Sequence, residues 1–240
     1  MVEVFNSQMK NVPIAGRKAL LPIRDGEGTF GEPWFGRDGS LVSLPWRMGL
    51  TLEGRTFYIS TSTYAGGSMP AAITGGGAGT VPDLDQPDAC VSVPAGTVII
   101  PLWLAGQVIP PAALADNDAS EIIFAVDRSA AWVLDGTVTA VTPINRRSDA
   151  PRASACRCFV AATGDITDPV ITWELARKEG FTNIGAAGEE TFALDLVYEP
   201  EAPPVIVGPA MLLGYFGGTH AETGFIQMCW AEFSKSELGL

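Results

Sequence analysis

The sequence predicts an all-β protein, an antiparallel sandwich that carries an extended arm at its N-terminal end. From Arg55 onward, apolar residues recur with a period of two, which is the period of a β-strand. The 240 residues include 27 glycines and 18 prolines, which favour turns between strands. Helical patterns do not alternate with the strands, so a doubly wound sheet is excluded and a sandwich or barrel is expected. Strands spaced 8 to 12 residues apart favour the antiparallel sandwich.

The first fifty residues differ from the rest of the chain. Proline and glycine interrupt them so often that no helical or strand period survives, which predicts an arm over residues 1–50 and a sandwich body over residues 51–240. The arm has a net charge of +1 and the body has −13, which together give the total of −12. Its large aromatic side chains need another surface to bury them, on the chain's own body or on a neighbouring subunit. The predicted contact residues of the arm are Trp34, Phe35, Trp46, Arg17, Lys18 and Arg24.

About nine strands follow in the body, and those with clear alternation, among them residues 121–127, 154–161 and 223–233, are predicted to be half-buried, with one face on the core. In the clearest of them, Leu194, Leu196 and Tyr198 share one face. The strands are predicted over Arg55–Thr63, Val91–Val93, Val98–Leu104, Glu121–Asp127, Thr137–Thr142, Ser154–Ala161, Thr191–Glu199, Val205–Tyr215 and Thr223–Phe233.

Two segments allow a helix. Residues 171–179 contain helix formers, but Ile171, Trp173 and Leu175 alternate, so strand and helix compete there. Residues 112–119 are expected to form one short helical turn in a loop. The similar apolar pattern of residues 98–104 and 205–213 also leaves a compact double sandwich open.

Composition excludes several classes of function. A net charge of −12 repels phosphate backbones, so we expect no direct contact with nucleic acid. No apolar stretch is long enough for a membrane span or a secretory signal, so no membrane association is expected. The four cysteines are predicted to be buried free thiols, since Cys156 and Cys158 share a strand face, where a mutual disulfide fits poorly.

The motifs point to no enzyme, cofactor or catalytic residue. His220 is the only histidine, which leaves a zinc site short of ligands. It is predicted to lie in a solvated turn, and the sequence has no G-x-S-x-G motif, so a Ser-His-Asp triad is not indicated. The glycine run 75–79 lacks the lysine of a phosphate-binding loop and is predicted to be a connector. Asp83, Asp85 and Asp88 form an acidic turn, and whether they bind a cation stays open.

The tryptophans of the body have two interpretations. Trp103, Trp173 and Trp230 fit the apolar alternation and are expected in the core, although exposed aromatics on a sandwich also stack against sugar rings. Trp132 stands before a turn, where an exposed contact residue is expected.

The irregular arm, the stretch 91–102 and the closing strand 224–233 together resemble the jelly-roll virion proteins of bacteriophages. The resemblance implies a jelly-roll-like sandwich and a structural, non-enzymatic role in the virion, as a capsid shell or capsid-decorating subunit made in the host cytoplasm. It implies copies of the chain itself and other capsid proteins as partners, in a symmetric high-order assembly. The alternative is a carbohydrate-binding sandwich of a host-attachment structure, which the aromatics near turns and the acidic turn favour. A hydrolase using two carboxylates is the remaining class.

Overall fold

The computed structural model describes residues 45–62, 73–74, 77–78, 84–109, 118–128, 139–150, 152–160, 170–182, 194–218 and 223–240. These residues form two β-sheets packed face to face, with two short helices. The predicted all-β sandwich is therefore confirmed. Among the described residues no helix has the length and hydropathy needed to cross a membrane.

The elements follow the chain in a simple order. A helix precedes the first strand and another follows the last. They are α1 (Trp46–Leu52), β1 (Thr56–Ser60), β2 (Ile73–Thr74), β3 (Gly77–Ala78), β4 (Ala89–Val93), β5 (Thr97–Ile109), β6 (Asp118–Asp127), β7 (Thr139–Val141), β8 (Ile144–Asn145), β9 (Arg157–Val160), β10 (Ile171–Thr182), β11 (Leu194–Tyr198), β12 (Ile206–Val207), β13 (Ala210–Gly218), β14 (Thr223–Ser234) and α2 (Lys235–Leu238).

Each of the nine predicted strands overlaps a strand of the structure. Residues 205–215 are divided between β12 and β13, with the Gly208–Pro209 peptide between them, because proline cannot donate to a ladder. Residues 171–182 form a strand, which settles the competition there against a helix. Of the helical turn expected at 112–119, Asp118 and Ala119 belong to β6. Residues 112–117 lie outside the described residues.

The order of strands defines the two sheets. Sheet one runs β11-β5-β14-β1-β8, with β12 beside β5 and β2 beside β14. Sheet two runs β10-β6-β13-β4-β9-β7, with β3 beside β13. Every described pairing is antiparallel except the short one between β3 and β13.

The main core lies between the sheets, where alternate side chains of both sheets meet. Trp230 and Met228 of β14 join Phe124 and Ile122 of β6 within one buried cluster. This inward face agrees with the alternation of the sequence.

The outer faces of the central strands are also buried, which corrects the prediction of half-buried strands. On sheet one the outer cluster, as we call it, comprises Leu50, Val98, Ile100, Leu102, Cys229, Ala231 and Phe233. On sheet two a third cluster comprises Cys90, Ile123, Ala125, Met211, Leu213 and Tyr215. The continuous apolar runs of β6 and β13 are the signal for this burial, because a strand covered on both faces needs no polar alternation.

Helix α1 covers part of sheet one from outside. Leu50 is 1% exposed, and Trp46, one turn earlier, packs on the same outer cluster. The helix starts after Pro45, and Gly54 ends the turn behind it with a φ of 68°, the left-handed region that favours glycine. The predicted arm thus differs from the structure over residues 46–50, which are helical and lie against the body.

Candidate functional site

A hollow of about 370 Å³ opens on the outer face of sheet one. We call it the outer pocket. It combines apolar and charged side chains from four separate parts of the chain. Its lining residues are Arg47, Leu102, Trp103, Arg146, Val197 and Glu199.

A bulge in β5 builds the pocket floor. Neighbouring residues of a strand normally face opposite sides of the sheet, yet Leu102 and Trp103 both line the pocket. The register explains this, since Cys229 of β14 lies opposite Trp103 while Trp230 lies opposite Pro101. Leu102 is therefore the extra residue, and a bulge of this kind re-aims side chains.

One wall of the pocket is formed by Arg47 of α1. Its Nη1 makes an ion pair with Glu199, and its Nη2 donates a hydrogen bond to the Pro200 carbonyl at 2.9 Å. The guanidinium carbon lies 5.5 Å from the centre of the Trp46 ring, within range of a cation–π contact. These contacts tie α1 to the chain that follows β11.

Arg146 also lines the pocket. Its backbone N–H donates to the Thr56 carbonyl at 2.9 Å, which fixes the residue beside β1. Among the described residues, its guanidinium makes one side-chain hydrogen bond, from Nη1 to Cys229 Sγ at 3.5 Å. A thiol is a weak acceptor and a guanidinium has five N–H donors, so, as far as the described residues go, most of these donors have no protein acceptor and can serve a ligand.

The Cys229 thiol beside this arginine stays protonated. Burial raises its pKa above the ordinary value, and this outweighs the lowering effect of the Arg146 charge. The thiol is therefore a neutral neighbour of the guanidinium and does not compensate its charge.

Apolar side chains continue from the pocket across the sheet. Ile144 of β8, Tyr58 of β1, Cys229 of β14 and Trp103 of β5 lie in one register row. The rings of Tyr58 and Trp103 are 5.8 Å apart, while Ile144 is 63% exposed. Val197 of β11, which also lines the pocket, is 66% exposed, so exposed apolar side chains lie in the pocket and beside it.

The arrangement is suited to binding. The lining residues contain two guanidiniums and one carboxylate, and that carboxylate already pairs with Arg47. Arg146 is thus free of a carboxylate partner among the described residues, beside the aromatic and aliphatic surface of Trp103 and Val197. A ligand with a carboxylate next to an apolar or aromatic group would meet both features.

The residues predicted from the sequence are only partly described. Trp46 is half-buried in α1, next to Arg47 of the pocket wall. The other five predicted arm residues, Arg17, Lys18, Arg24, Trp34 and Phe35, lie outside the described residues, as do Trp132, His220 and Asp83.

The acidic turn is partly structural. Asp88 is 2% exposed, and its Oδ2 accepts a hydrogen bond from the Phe216 backbone N–H at 2.8 Å. Across the described part of the chain, no three ligand-type side chains are grouped to hold a metal ion.

The three tryptophans have three different environments. Trp230 is fully buried, as expected, and Trp103 is half-buried in the outer pocket. Trp173 is 39% exposed, so its predicted place in the core is wrong. The register of β10 shifts on either side of Trp173, between Ile171 and Trp173 and again between Glu174 and Ala176, and these shifts break the alternation from which its burial was predicted.

All four cysteines are free and buried, as predicted. Cys156 and Cys158 share the main core, and burial raises the pKa of both thiols. Such thiols behave as small apolar groups, so they pack the core and carry no chemistry.

Sequence reasoning missed the pocket itself. Arg47, Arg146 and Glu199 are far apart in the chain. The pairing of β1 with β8, the pairing of β5 with β11 and the packing of α1 on sheet one bring them together. One local signal was present, because a proline inside a strand, here Pro101, marks an edge or a bulge.

In comparisons with known proteins, no protein-family model, no curated protein and no solved structure matches this chain.

Proposed function

We propose that the sandwich is a jelly roll and that the protein is a structural subunit of a bacteriophage virion, a capsid shell or capsid-decorating protein. The single observation that carries the proposed fold is the order of eight strands in the two sheets, and the proposed role rests on the apolar surface around the outer pocket. Its implied partners are copies of the chain itself and other capsid proteins.

The strand pairs follow the pattern of a rolled hairpin. Counted along the chain, the eight strands concerned are β1, β4, β5, β6, β10, β11, β13 and β14. The first pairs with the last (β1 with β14), the second with the seventh (β4 with β13), the third with the sixth (β5 with β11) and the fourth with the fifth (β6 with β10).

The same eight strands are divided between the sheets as a double Greek key requires. Sheet one contains them in the order first, eighth, third, sixth, and sheet two in the order second, seventh, fourth, fifth. A jelly roll consists of eight strands in two Greek keys, and this order supports it. The short strands β7, β8 and β9 extend the edges beside β1 and β4 and are additions to that plan.

Jelly rolls serve as capsid proteins, lectins and cupins, so the function must be argued from surfaces. A cupin needs a cluster of histidine ligands, and the chain has one histidine. The apolar side chains around the outer pocket, among them the exposed Ile144 and Val197, favour a protein partner, because clustered exposed apolar groups mark interaction sites. The aromatic residues of the predicted arm, Trp34 and Phe35, also favour a partner, because burial of their rings would stabilise a contact.

The native mass of the full-length protein tests this role. We expect sedimentation and negative-stain microscopy to reveal assemblies many times heavier than the 25.3 kDa chain. A species that remains a single chain at every concentration would contradict a self-associating subunit.

A carbohydrate-binding sandwich is the second candidate, and the exposed Trp173 on β10 favours it. An exposed aromatic ring at a sheet edge is a platform on which a sugar ring can stack. A glycan array with the wild-type protein and the Trp173→Ala variant, each with and without calcium, tests it. Binding that the variant loses would support this candidate, and an array without binding would remove it.

A further inference from the structure

We propose that the outer pocket binds the start of β10, residues 170–174, of a second copy of this chain, and that the contact is reciprocal. The inference rests on the proposed structural role and names the contact through which two copies associate. The pocket supplies guanidinium and apolar groups, and the segment supplies a carboxylate and apolar groups that complement them.

The segment carries an unusual set of exposed side chains. Val170 is 53% exposed, Trp173 is 39% exposed and Glu174 is exposed, so two large apolar groups and a carboxylate occur within five residues. Within the described part of the chain, β6 is the only strand that pairs with β10 in its sheet. The segment therefore offers a sheet edge and an exposed carboxylate to a partner.

Charge favours this pairing. The chain as a whole carries −12, so two copies repel each other except where a basic site meets an acidic one. The outer pocket is such a site, since its lining contains the two guanidiniums of Arg47 and Arg146 and the single carboxylate of Glu199. The N–H donors of Arg146 can bind the carboxylate of Glu174. The ring of Trp173 can pack against the half-buried Trp103 and the exposed Val197.

The positions of the pocket and the segment allow a reciprocal contact. β10 and β11 lie at the same edge of the sandwich, where Lys178 Nζ donates to the Asp195 carbonyl at 2.6 Å. Val197 of the pocket belongs to β11, so one side of the pocket lies at the edge that carries the segment. One twofold axis can then place each segment in the other copy's pocket, as in an isologous interface.

Charge reversal tests the contact in full-length protein. Arg146→Glu and Glu174→Arg each reverse two pairs in a twofold contact, one for each copy. We expect each variant to associate at least about 100-fold more weakly, about tenfold for each pair. Arg157→Glu on β9 makes the same change of charge on an exposed residue of sheet two and should associate like the wild type.

Mixing the two variants gives the decisive result. In a mixed pair, the chain with the Arg146→Glu change presents a carboxylate to the guanidinium that Glu174→Arg introduces in the other chain. The second contact of that pair keeps its original residues. We therefore expect the mixture to regain wild-type association, measured by sedimentation at several concentrations. Restoration requires contact between copies, and it would not occur if the pocket held another part of its own chain.

Each other outcome overturns the contact. If both variants associate like the wild type, the contact is wrong, while the proposed structural role stands on its own test of native mass. If both variants fail and the mixture also fails, the two residues do not pair. A wild-type protein that stays a single chain contradicts both proposals. Circular dichroism of each variant confirms that the fold is retained.

Discussion

Glu237 of α2 connects this last helix to Arg55, the residue that precedes β1. Its Oε1 accepts a hydrogen bond from Arg55 Nη2 at 2.8 Å, and its Oε2 accepts one from the Ser234 backbone N–H at 2.7 Å. The second bond is half of a capping box at the start of α2. The Arg55 hydrogen bond, with help from Ser234, lowers the pKa of Glu237 to about 2.

This lowered pKa predicts a pH-dependent loss of stability. Because the folded-state pKa lies below the unfolded value of about 4.3, the contribution is present above that pH and is lost as the pH falls towards 2. We expect Glu237→Gln to lower the free energy of unfolding by about 1 kcal/mol at pH 7, with the difference vanishing near pH 2. Denaturant unfolding at several pH values measures it.

A matched control separates this effect from the general loss of one charge. Glu201 is exposed and makes no hydrogen bond or ion pair among the described residues, so Glu201→Gln should leave stability unchanged at every pH. If the Glu237→Gln difference were the same at pH 7 and pH 2, the ion pair and cap would not be its cause.

At the scale of elements, the pairing of β14 with β5 holds sheet one together. Gly224 of β14 lies opposite Val108, and an added Cβ at Gly224 would come within 2.2 Å of the Gln107 carbonyl oxygen. A backbone atom cannot give way without bending the strand. At Gly106 of β5, an added Cβ would instead meet a side-chain methyl, Ile122 Cγ2, at 2.9 Å.

The two glycines therefore predict different costs. Gly224→Ala forces a shift of the β5 backbone, and we expect it to destabilise the fold by about 3 kcal/mol, the upper end for overpacking. Gly106→Ala pushes on the Cγ2 methyl of Ile122, a buried β-branched side chain that can shift without bending a strand but must displace its core neighbours, so we expect a smaller cost of about 2 kcal/mol. Thermal unfolding of both variants tests the order, and equal costs would mean that the strand backbone adapts as easily as a side chain.

Single strands show which parts of the fold the sequence alone predicts. Alternation placed Ile226, Met228 and Trp230 on the inner face of β14, because a regular strand keeps its period of two. It failed at Trp173, where bulges change the period locally. The outer pocket was not predicted because it depends on which strands become neighbours, and this is decided by packing across the whole sandwich.

At the scale of the whole molecule, the described clusters show where stability comes from. The described buried residues of the main core, the outer cluster and the third cluster all lie between Leu50 and Phe233, within the predicted body apart from Leu50 itself. Residues 1–44 lie outside the described part of the chain. Their two adjacent aromatic residues, Trp34 and Phe35, are each worth about 2 to 3 kcal/mol when fully buried on a partner surface.

Removal of residues 1–44 should therefore separate folding from assembly. We expect the shortened chain, which keeps Trp46 and the rest of α1, to unfold cooperatively within a few degrees of the full-length protein and to lose the higher-order assemblies. The double variant Trp34→Ala with Phe35→Ala, in the full chain, should also weaken assembly, but less than the deletion, because it removes two aromatic side chains and keeps the rest of the arm. Calorimetry measures folding and sedimentation measures assembly. A shortened chain that still assembles fully would show that the sandwich alone holds the copies together, and one that does not fold would show that the arm completes its own body.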